Sequence, residues 1–449
     1  MRHLHVSENK IIVRFAPSPT GHMHVGTART ALFNFLFAKR YGGKFIVRIE
    51  DTDKERSKKE YEESIIESLA WLSIAYDELH RTSERVGEHK AYVKKLVDSG
   101  AAYLSKETPK EGGGREEVVR FKNPNKKISF EDVILGNIEF DTTDLGDFVI
   151  AKDFDTPLYH LAVVADDFDM GVTHVIRAQD HISNTPRQIL IQEAIGAPRP
   201  LYAHIPLILA TDRTKLSKRH GAVSVTEYRD RGYFPEAFVN YLALLGWNPG
   251  TDKEIFTMEE LIEHFSLEKI QKGAAIFDIG KLNWMNKEYL SNVSEREVGE
   301  RVVHFQPGIS FVNLDGTAKI LRERIHYYGE AKELVDSGEF DYLIAGRGVK
   351  LDRDMILQHG KLPVDNSKRH LEHIYDILSN ISPEEFTADR VKGAVWKYAD
   401  AEGRGAVLWP MRIALTGREK SPDPFTVAEI IGRDITLARL QESMRALGA

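Results

Sequence analysis

Residues Arg14-Phe15-Ala16-Pro17-Ser18-Pro19-Thr20-Gly21-His22-Met23-His24-Val25-Gly26-Thr27 decide the fold. The apolar segment from Ile11 to Phe15 has the length and composition of a buried strand, and the Pro/Gly-rich run after it cannot continue one. From Thr27 to Arg40 the apolar spacing is helical. Gly42-Gly43 then supplies a C-terminal stop, and Phe45-Ile46-Val47-Arg48-Ile49 reads as a second strand. Strand, loop, helix, stop and strand make a βαβ unit, and such units place ligands at the carboxyl end of the first strand. The free N–H groups at the helix start attract phosphate. His24 is placed to donate a charge-assisted bond to that phosphate, and Gly26 leaves room for a flat base over the backbone. Taken alone, the stretch also fits an ordinary strand–helix turn carrying two surface histidines.

A second element, far along the chain, favours the phosphate reading. Thr214-Lys215-Leu216-Ser217-Lys218-Arg219-His220-Gly221 is a short basic loop after an apolar segment expected to be a strand from His204 to Ala210. Lys215 and Lys218, with Ser217 between them and Gly221 nearby, suit a clamp on a polyphosphate. The competing reading is a solvated basic turn.

The pair resembles the two signatures of class I aminoacyl-tRNA synthetases, the His-Ile-Gly-His and Lys-Met-Ser-Lys-Ser elements. Further segments narrow the resemblance to the bacterial-type glutamyl-tRNA synthetases: Ala16 to Gly21, Arg48 to Asp53, Tyr159 to Ala162, Met170 to Arg177 and Leu408 to Gly417. The similarity runs over nearly the whole chain. It implies ATP-dependent attachment of L-glutamate to tRNA(Glu) through a glutamyl-adenylate. The alternatives within the resemblance are a non-discriminating form that also charges tRNA(Gln) and a non-catalytic tRNA-binding paralogue. Intact His24, Arg14, Lys215 and Lys218 argue against the latter.

The implied fold is α/β: a Rossmann-type parallel-sheet catalytic domain split by a connective insertion, then an all-α C-terminal half for the anticodon. The expected divisions are 10–80 and 156–222 for the two catalytic halves and 81–155 for the insertion that grips the tRNA acceptor end. A helical stem-contact domain over 223–310 and an anticodon-binding region over 311–449 complete the chain. Several local expectations go with this. Thr52-Asp53-Lys54-Glu55 has the pattern of a capping box before a helix with Tyr61, Ile65, Leu69 and Leu72 on one face. Residues 80 to 105 look helical, Gly136-Asn137 reads as a turn, and Leu161 to Val164 reads as part of the returning sheet. Ser382-Pro383 reads as a helix start.

The resemblance also assigns roles. His24, Gly26, Thr27 and Asp180 fall on the ATP side, with Lys215 and Lys218 stabilising the leaving pyrophosphate and Mg²⁺ sharing its charge. The amino-acid pocket must hold two carboxylates and one ammonium. Arginine suits carboxylates because its planar fork binds them bidentately. Arg14 and Arg177 sit at strand ends, Glu50 would take the ammonium, and Ala16, Ser18 and Tyr159 would complete the hydrogen bonds. The favoured split gives Arg14 and Tyr159 the side-chain carboxylate and Arg177 the α-carboxylate, but the sequence leaves this open. A strand-end salt bridge is the plain alternative for either arginine. Tyr159 follows Asp155-Thr156-Pro157-Leu158, one residue shorter than the family's usual approach to this tyrosine. In the C-terminal half Arg324 falls where the family reads the third anticodon base, with Arg322 as a substitute, and an arginine there goes with rejection of tRNA(Gln). The plain alternative is a helix face paired with Glu323 or Glu330.

Composition bounds the rest. The chain has 449 residues, 42% hydrophobic and 29% charged, which fits two to four globular domains. No apolar run approaches the ~18 residues of a membrane span, and Met1 to Lys10 is polar, so a cytoplasmic protein without membrane contact is expected. A net charge of −7 argues against a nonspecific nucleic-acid binder but permits a basic stripe along one face. There is no cysteine, so no disulfide and no thiolate zinc site. Where some bacterial relatives carry a small zinc site, this chain reads Ala101-Ala102-Tyr103-Leu104-Ser105, and no structural zinc is expected. The family pattern implies a monomer.

Overall fold

The computed structural model describes residues 10–107, 117–217, 219, 224–359 and 361–448. The opening βαβ unit is β1 (Ile12–Phe15), α1 (Val25–Arg40) and β2 (Lys44–Ile49). Helix α1 buries Ala28, Ala31, Leu32, Phe33, Leu36 and Phe37, so apolar residues occupy most of its circumference, as expected of a helix packed on several sides. Each such large side chain contributes about 1.5–3 kcal/mol by leaving water. Lys39 and Arg40 face the negative end of the helix dipole. Gly43 follows where a Cβ would lie 2.6 Å from the Ile11 carbonyl oxygen, so only glycine lets the chain turn this tightly into β2.

The chain continues through α2 (Lys59–Trp71), β3 (Glu78–Arg81), α3 (Val86–Asp98), β4 (Ala102–Lys106), β5 (Glu117–Phe121), β6 (Lys127–Asp132), β7 (Gly136–Asp141), β8 (Phe148–Asp153), β9 (Thr156–Pro157), α4 (Tyr159–Asp169), β10 (His174–Ala178), α5 (Thr185–Ile195) and β11 (Leu201–Ile205). The main sheet has the order β3-β2-β1-β10-β11-β6-β7. It is parallel from β3 to β6, and β7 pairs antiparallel with β6. The chain runs outward from β1 to β3 and returns at β10 beside β1, so the strand order reverses between β1 and β10. Open α/β sheets form their ligand crevice at such a switch point, outside the carboxyl ends of the strands.

The insertion contributes an antiparallel sheet, β4-β5-β8-β9, but the β6–β7 hairpin leaves it and extends the main sheet at Tyr202↔Asp132. One core joins α3, both sets of strands, α4 and α5, through Leu96, Phe121, Ile128, Phe130, Leu161, Ile189 and Tyr202. After β12 (Ile208–Leu209), the chain adds α6 (Val225–Asp230), α7 (Pro235–Leu244), α8 (Met258–His264) and β13 (Ala275–Ile276), and α9 (Ile279–Ser291) carries it onward.

Compactness divides the chain into two units, between Met285 and Asn286. The second unit contains α10 (Glu295–Phe305), α11 (Leu314–Arg324), α12 (Tyr328–Asp336), α13 (Arg353–Ile356), α14 (Val364–Ser379), α15 (Ala388–Glu402), α16 (Arg404–Thr416) and α17 (Pro424–Gly448). Helix α17 is broken at Gly432, where φ is 79°. Among the described residues this unit has no strand beyond the isolated Phe311↔Ile344 bridge. No helix among them is long and apolar enough to cross a membrane.

Several local expectations are corrected. The capping box at Thr52 does not form: α2 starts at Lys59 without a side-chain cap, and Asp53 instead closes a turn onto Arg56. The segment 80–105 is helical only over α3, between β3 and β4. Leu161 to Val164 lies in α4, not in the sheet; a short apolar run does not separate a buried helix from a strand. The expected strand from His204 to Ala210 is two pieces, β11 and β12. The hairpin turn precedes Gly136, because Asp132 accepts from the amides of Ile134 and Leu135 and bends the chain there. Pro383 opens only a short 3₁₀ turn, and the following helix is capped by Thr387.

Candidate active site

A cleft of about 700 Å³ opens at the β1/β10 switch point. Its floor is the loop from Ala16 to His24. Glu50 N–H donates to the Pro17 carbonyl (2.9 Å), Lys58 N–H to that of Pro19 (3.0 Å) and Val225 N–H to that of Met23 (2.9 Å), so three distant segments fix one loop. His22 packs edge-on against Tyr61 and sits 3.0 Å from Ser64 Oγ, on α2. Every site residue expected in the catalytic unit and described here lines the cleft: Arg14, Ala16, Ser18, His24, Gly26, Thr27, Glu50, Tyr159, Arg177, Asp180 and Lys215. The shortened approach to Tyr159 does not displace it from this set. Lys218 lies outside the described residues.

His24 is the N-cap of α1. Its Nδ1 accepts from Gly26 N–H at 3.2 Å, which leaves the proton on Nε2. Burial, reinforced by Lys215 and opposed by Glu227, lowers its pKa. The lowered pKa favours the neutral ring, whose Nε2–H still makes a charge-assisted bond when the acceptor is an anionic phosphate. A Cβ at Gly26 would meet only the His24 ring, at 3.7 Å, so the helix start is open above. Lys215 is exposed and stands 3.7 Å from Asp180 in the 3₁₀ segment Gln179–Asn184, so lysine and carboxylate face each other at this end.

The other end of the cleft is a buried charge array. Arg14 Nε lies 3.2 Å from both oxygens of Asp167, on α4. Arg48, fully buried, donates from Nη1 to Asp167 (2.7 Å) and from Nη2 to Glu50 (3.2 Å), with Asp166 3.8 Å from its Nε. Burial opposes the Arg48 charge but is outweighed by Asp167, Glu50 and Asp166, which hold it cationic. Glu50 is raised above its ordinary pKa by burial, against the pull of Arg48 and Arg14.

Arg177 is arranged differently. It is 6% exposed, and it donates to neutral groups: Nε to His204 Nε2 (3.2 Å) and Nη2 to Thr185 Oγ1 (2.9 Å). It has no carboxylate partner among the described residues, and burial lowers its pKa. A buried guanidinium lining a cleft without a counterion is suited to take one from a ligand.

The family pattern "tRNA synthetases class I (E and Q), catalytic domain" matches residues 10–112 and 107–284, and the "Anticodon binding domain" pattern matches 259–444. The chain is 41% identical to a glutamate–tRNA ligase of Carboxydothermus hydrogenoformans, over 94% of this chain and 97% of that one. It belongs to the class I glutamyl-tRNA synthetase family. A second relative, the glutamate–tRNA ligase of Aquifex aeolicus, is 46% identical over 73% of this chain and 77% of its own. A crystal structure of a glutamate tRNA ligase from Elizabethkingia meningosepticum in complex with its amino acid superposes with a TM-score of 0.87 at 30% identity, covering 98% of this chain and all of that one.

Three groups at or behind the cleft, Asp167, His181 and His204, belong to none of the motifs in the synthetase sequence. His181 lines the cleft beside Tyr159, whose hydroxyl is 3.2 Å from its Nδ1. Asp167 did leave a signal: Asp166-Asp167 interrupt the apolar run of α4, and carboxylates on a buried helix require cations opposite them. His204 left none that one sequence can show. In the second unit Arg324, in the last turn of α11, is partly exposed and pairs with Glu339, while Arg322 is held by the Val293 carbonyl and Glu295. Their carboxylate partners are thus Glu295 and Glu339 rather than Glu323 and Glu330, and Glu330 pairs with His326.

Proposed function

We propose that this synthetase condenses L-glutamate with ATP to a glutamyl-adenylate and transfers the glutamyl group to tRNA(Glu), working as a cytoplasmic monomer. The observation that carries the reading is the charge pattern of the cleft. Among its charged side chains, the guanidiniums of Arg14 and Arg177 and the carboxylate of Glu50 mirror the two carboxylates and one ammonium of glutamate. Arg14 and Tyr159 take the side-chain carboxylate, Arg177 the α-carboxylate, and Glu50 the ammonium, with Ser18 and the Ala16 backbone completing the set. Glutamine has no charge to offer the side-chain cation.

The nucleotide occupies the other end, over Gly26 and Thr27. Neutral His24 donates from Nε2 to a phosphate, and Asp180 reaches the ribose once Lys215 turns from it to the phosphates. Lys215 and Lys218 neutralise charge as pyrophosphate leaves, and preorganised cations at that point contribute mostly to the rate. Mg²⁺ supplies further charge neutralisation when bound. With Asp180 the carboxylate at this end, it fits as an ion carried on the phosphates rather than held in a protein cage. In the C-terminal unit Arg324 reads the third anticodon base, which makes the enzyme discriminating.

The test is tRNA charging with glutamate and with glutamine by wild-type protein and Arg14→Ala. Wild type should prefer glutamate strongly. The variant should lose much of that preference, since Arg14 keeps Asp167 whichever amino acid is bound and what glutamine forgoes is the charge-assisted bond to the ligand, about 1.5–3 kcal/mol. Wild-type glutamate kinetics in Arg14→Ala would remove Arg14 from the pocket.

A further inference from the structure

Three buried side chains on neighbouring strands connect the insertion to the amino-acid pocket. Asp132 ends β6, His204 is on β11 and Arg177 is on β10; the first two are 1% and 0% exposed. Asp132 Oδ2 lies 2.7 Å from His204 Nδ1, and His204 Nε2 lies 3.2 Å from Arg177 Nε. A guanidinium N–H can only donate, so Nε2 must be the bare nitrogen and Nδ1 must carry the proton that goes to Asp132. Asp132 is itself held, accepting from His204 N–H (3.0 Å), Ile134 N–H (3.0 Å) and Leu135 N–H (2.9 Å). Thr185 Oγ1 accepts from Arg177 Nη2 and lies 3.3 Å from His204 Nε2.

We propose that Asp132 and His204 are positioning residues for glutamate binding: Asp132 fixes the His204 tautomer, and His204 Nε2 then holds Arg177 with its remaining N–H groups toward the pocket. This rests on the reading of Arg177 as a carboxylate-binding group. The geometry explains how a guanidinium can be oriented without being neutralised. A carboxylate at Nε would hold Arg177 as Asp167 holds Arg14, but would also compete with the ligand's charge. A neutral imidazole acceptor orients and leaves the charge free. It also explains why the insertion's hairpin extends the main sheet, since that pairing delivers Asp132 to His204. Burial, opposed by Asp132 and aided by Arg177, keeps His204 neutral, as the arrangement needs.

The experiment measures KM for glutamate and for ATP in tRNA charging, for Asp132→Asn, His204→Ala, His204→Gln, Arg177→Ala and the double variant Asp132→Asn/His204→Gln. An amide at 132 can donate to Nδ1 and force the wrong tautomer. Asp132→Asn and His204→Ala should therefore raise KM for glutamate roughly 10- to 100-fold, the usual effect of losing an orienting partner, with KM for ATP unchanged. The carbonyl of His204→Gln reaches the place of Nε2, so this variant should recover most of the affinity, and Asp132→Asn should add little in its background. Unchanged KM for glutamate in Asp132→Asn, parallel changes in both KM values, or His204→Gln no better than His204→Ala would overturn the relay. Nitrogen NMR of the wild-type enzyme with labelled histidine, assigned through His204→Gln, should find the His204 proton on Nδ1. A proton on Nε2 refutes the proposal even if the variants fail to fold. Unchanged KM for glutamate in Arg177→Ala would instead refute the pocket assignment, and the tautomer would still judge the relay.

Discussion

Replacing Asp167 by asparagine tests the charge array directly. The carboxylate accepts from Arg48 Nη1 at 2.7 Å and faces Arg14 Nε at 3.2 Å, and both arginines are nearly or fully buried. After the change Arg48 keeps Glu50 and Asp166, but Arg14 has no carboxylate partner among the described residues. Breaking a buried pair on one side costs about 3–5 kcal/mol; asparagine preserves shape and one acceptor oxygen, so about 3 kcal/mol is expected. At about 2.1 cal/mol/K per residue, a unit ending at Met285 should lose about 5 °C of Tm. The assay is thermal and urea unfolding of Asp167→Asn, Arg14→Met and the double variant, together with KM for glutamate. Because the two side chains share one interaction, the double variant should be less destabilised than the sum of the singles by at least ~1 kcal/mol. KM for glutamate should rise at least tenfold in Asp167→Asn, because Arg14 loses its anchor. Additivity within about 0.5 kcal/mol would show that Arg14 and Asp167 are not coupled. An unchanged KM would show that the anchor does not matter to the ligand.

Glu50 should give a pH signature. Its carboxyl is raised above the ordinary value, and the ionised form binds the ammonium, so KM for glutamate should climb as pH falls, starting above the usual carboxylate range. The Glu50→Gln variant should bind poorly and lack that limb; a limb that survives the substitution belongs to another group. By linkage, the raised value stabilises the fold below the unfolded-state pKa, a contribution lost as pH rises through the folded one. Lys218→Ala should slow ATP–pyrophosphate exchange by on the order of 10²–10³ with glutamate and tRNA saturating, and near wild-type exchange would remove Lys218 from the chemistry. Arg324→Gln should narrow the preference for tRNA(Glu) over tRNA(Gln) by roughly 10- to 100-fold, the worth of one bidentate base contact. Equal charging of both tRNAs by wild type would make the enzyme non-discriminating, and an unchanged ratio in the variant would leave Arg324 as the partner of Glu339 and no more.

The parts of the fold legible in the sequence were those with a local cause. Gly43, the turn residues after Phe15 and the helical spacing of α1 each act over a few residues, and the first βαβ unit could be read from them. What was lost depended on distant partners. Thr52 to Glu55 satisfies a capping pattern, yet Asp53 finds Arg56 and Asp51 accepts from Ser83 at 2.6 Å and 2.8 Å, so the helix starts later. The Leu161–Val164 run was ambiguous because burial on several sides erases periodicity. The β6–β7 hairpin alternates buried and exposed residues like any hairpin. Nothing in that alternation says it pairs with β11 rather than with the insertion's own strands.

The same division runs through the site. Arg14, Glu50 and Arg177 line the cleft and belong to motifs, so the sequence shows them. The groups that make them work face each other. Arg14, Asp167, Arg48 and Glu50 form a chain of alternating charge whose two ends line the cleft, while Arg48 is sealed inside. Apolar residues of similar size would often be as stable as such a buried array, so stability alone does not account for it. Its effect is geometric: one guanidinium, bonding Asp167 through one nitrogen and Glu50 through another, fixes the separation of the pocket's cation from its anion. Lysine could carry the charge at that position but not the two-pronged spacing. Arg177 reaches the same end through a neutral histidine. The cleft thus holds one arginine oriented by a carboxylate and one oriented without it, and under the proposed assignment the second offers the less neutralised charge to a carboxylate brought in by the ligand.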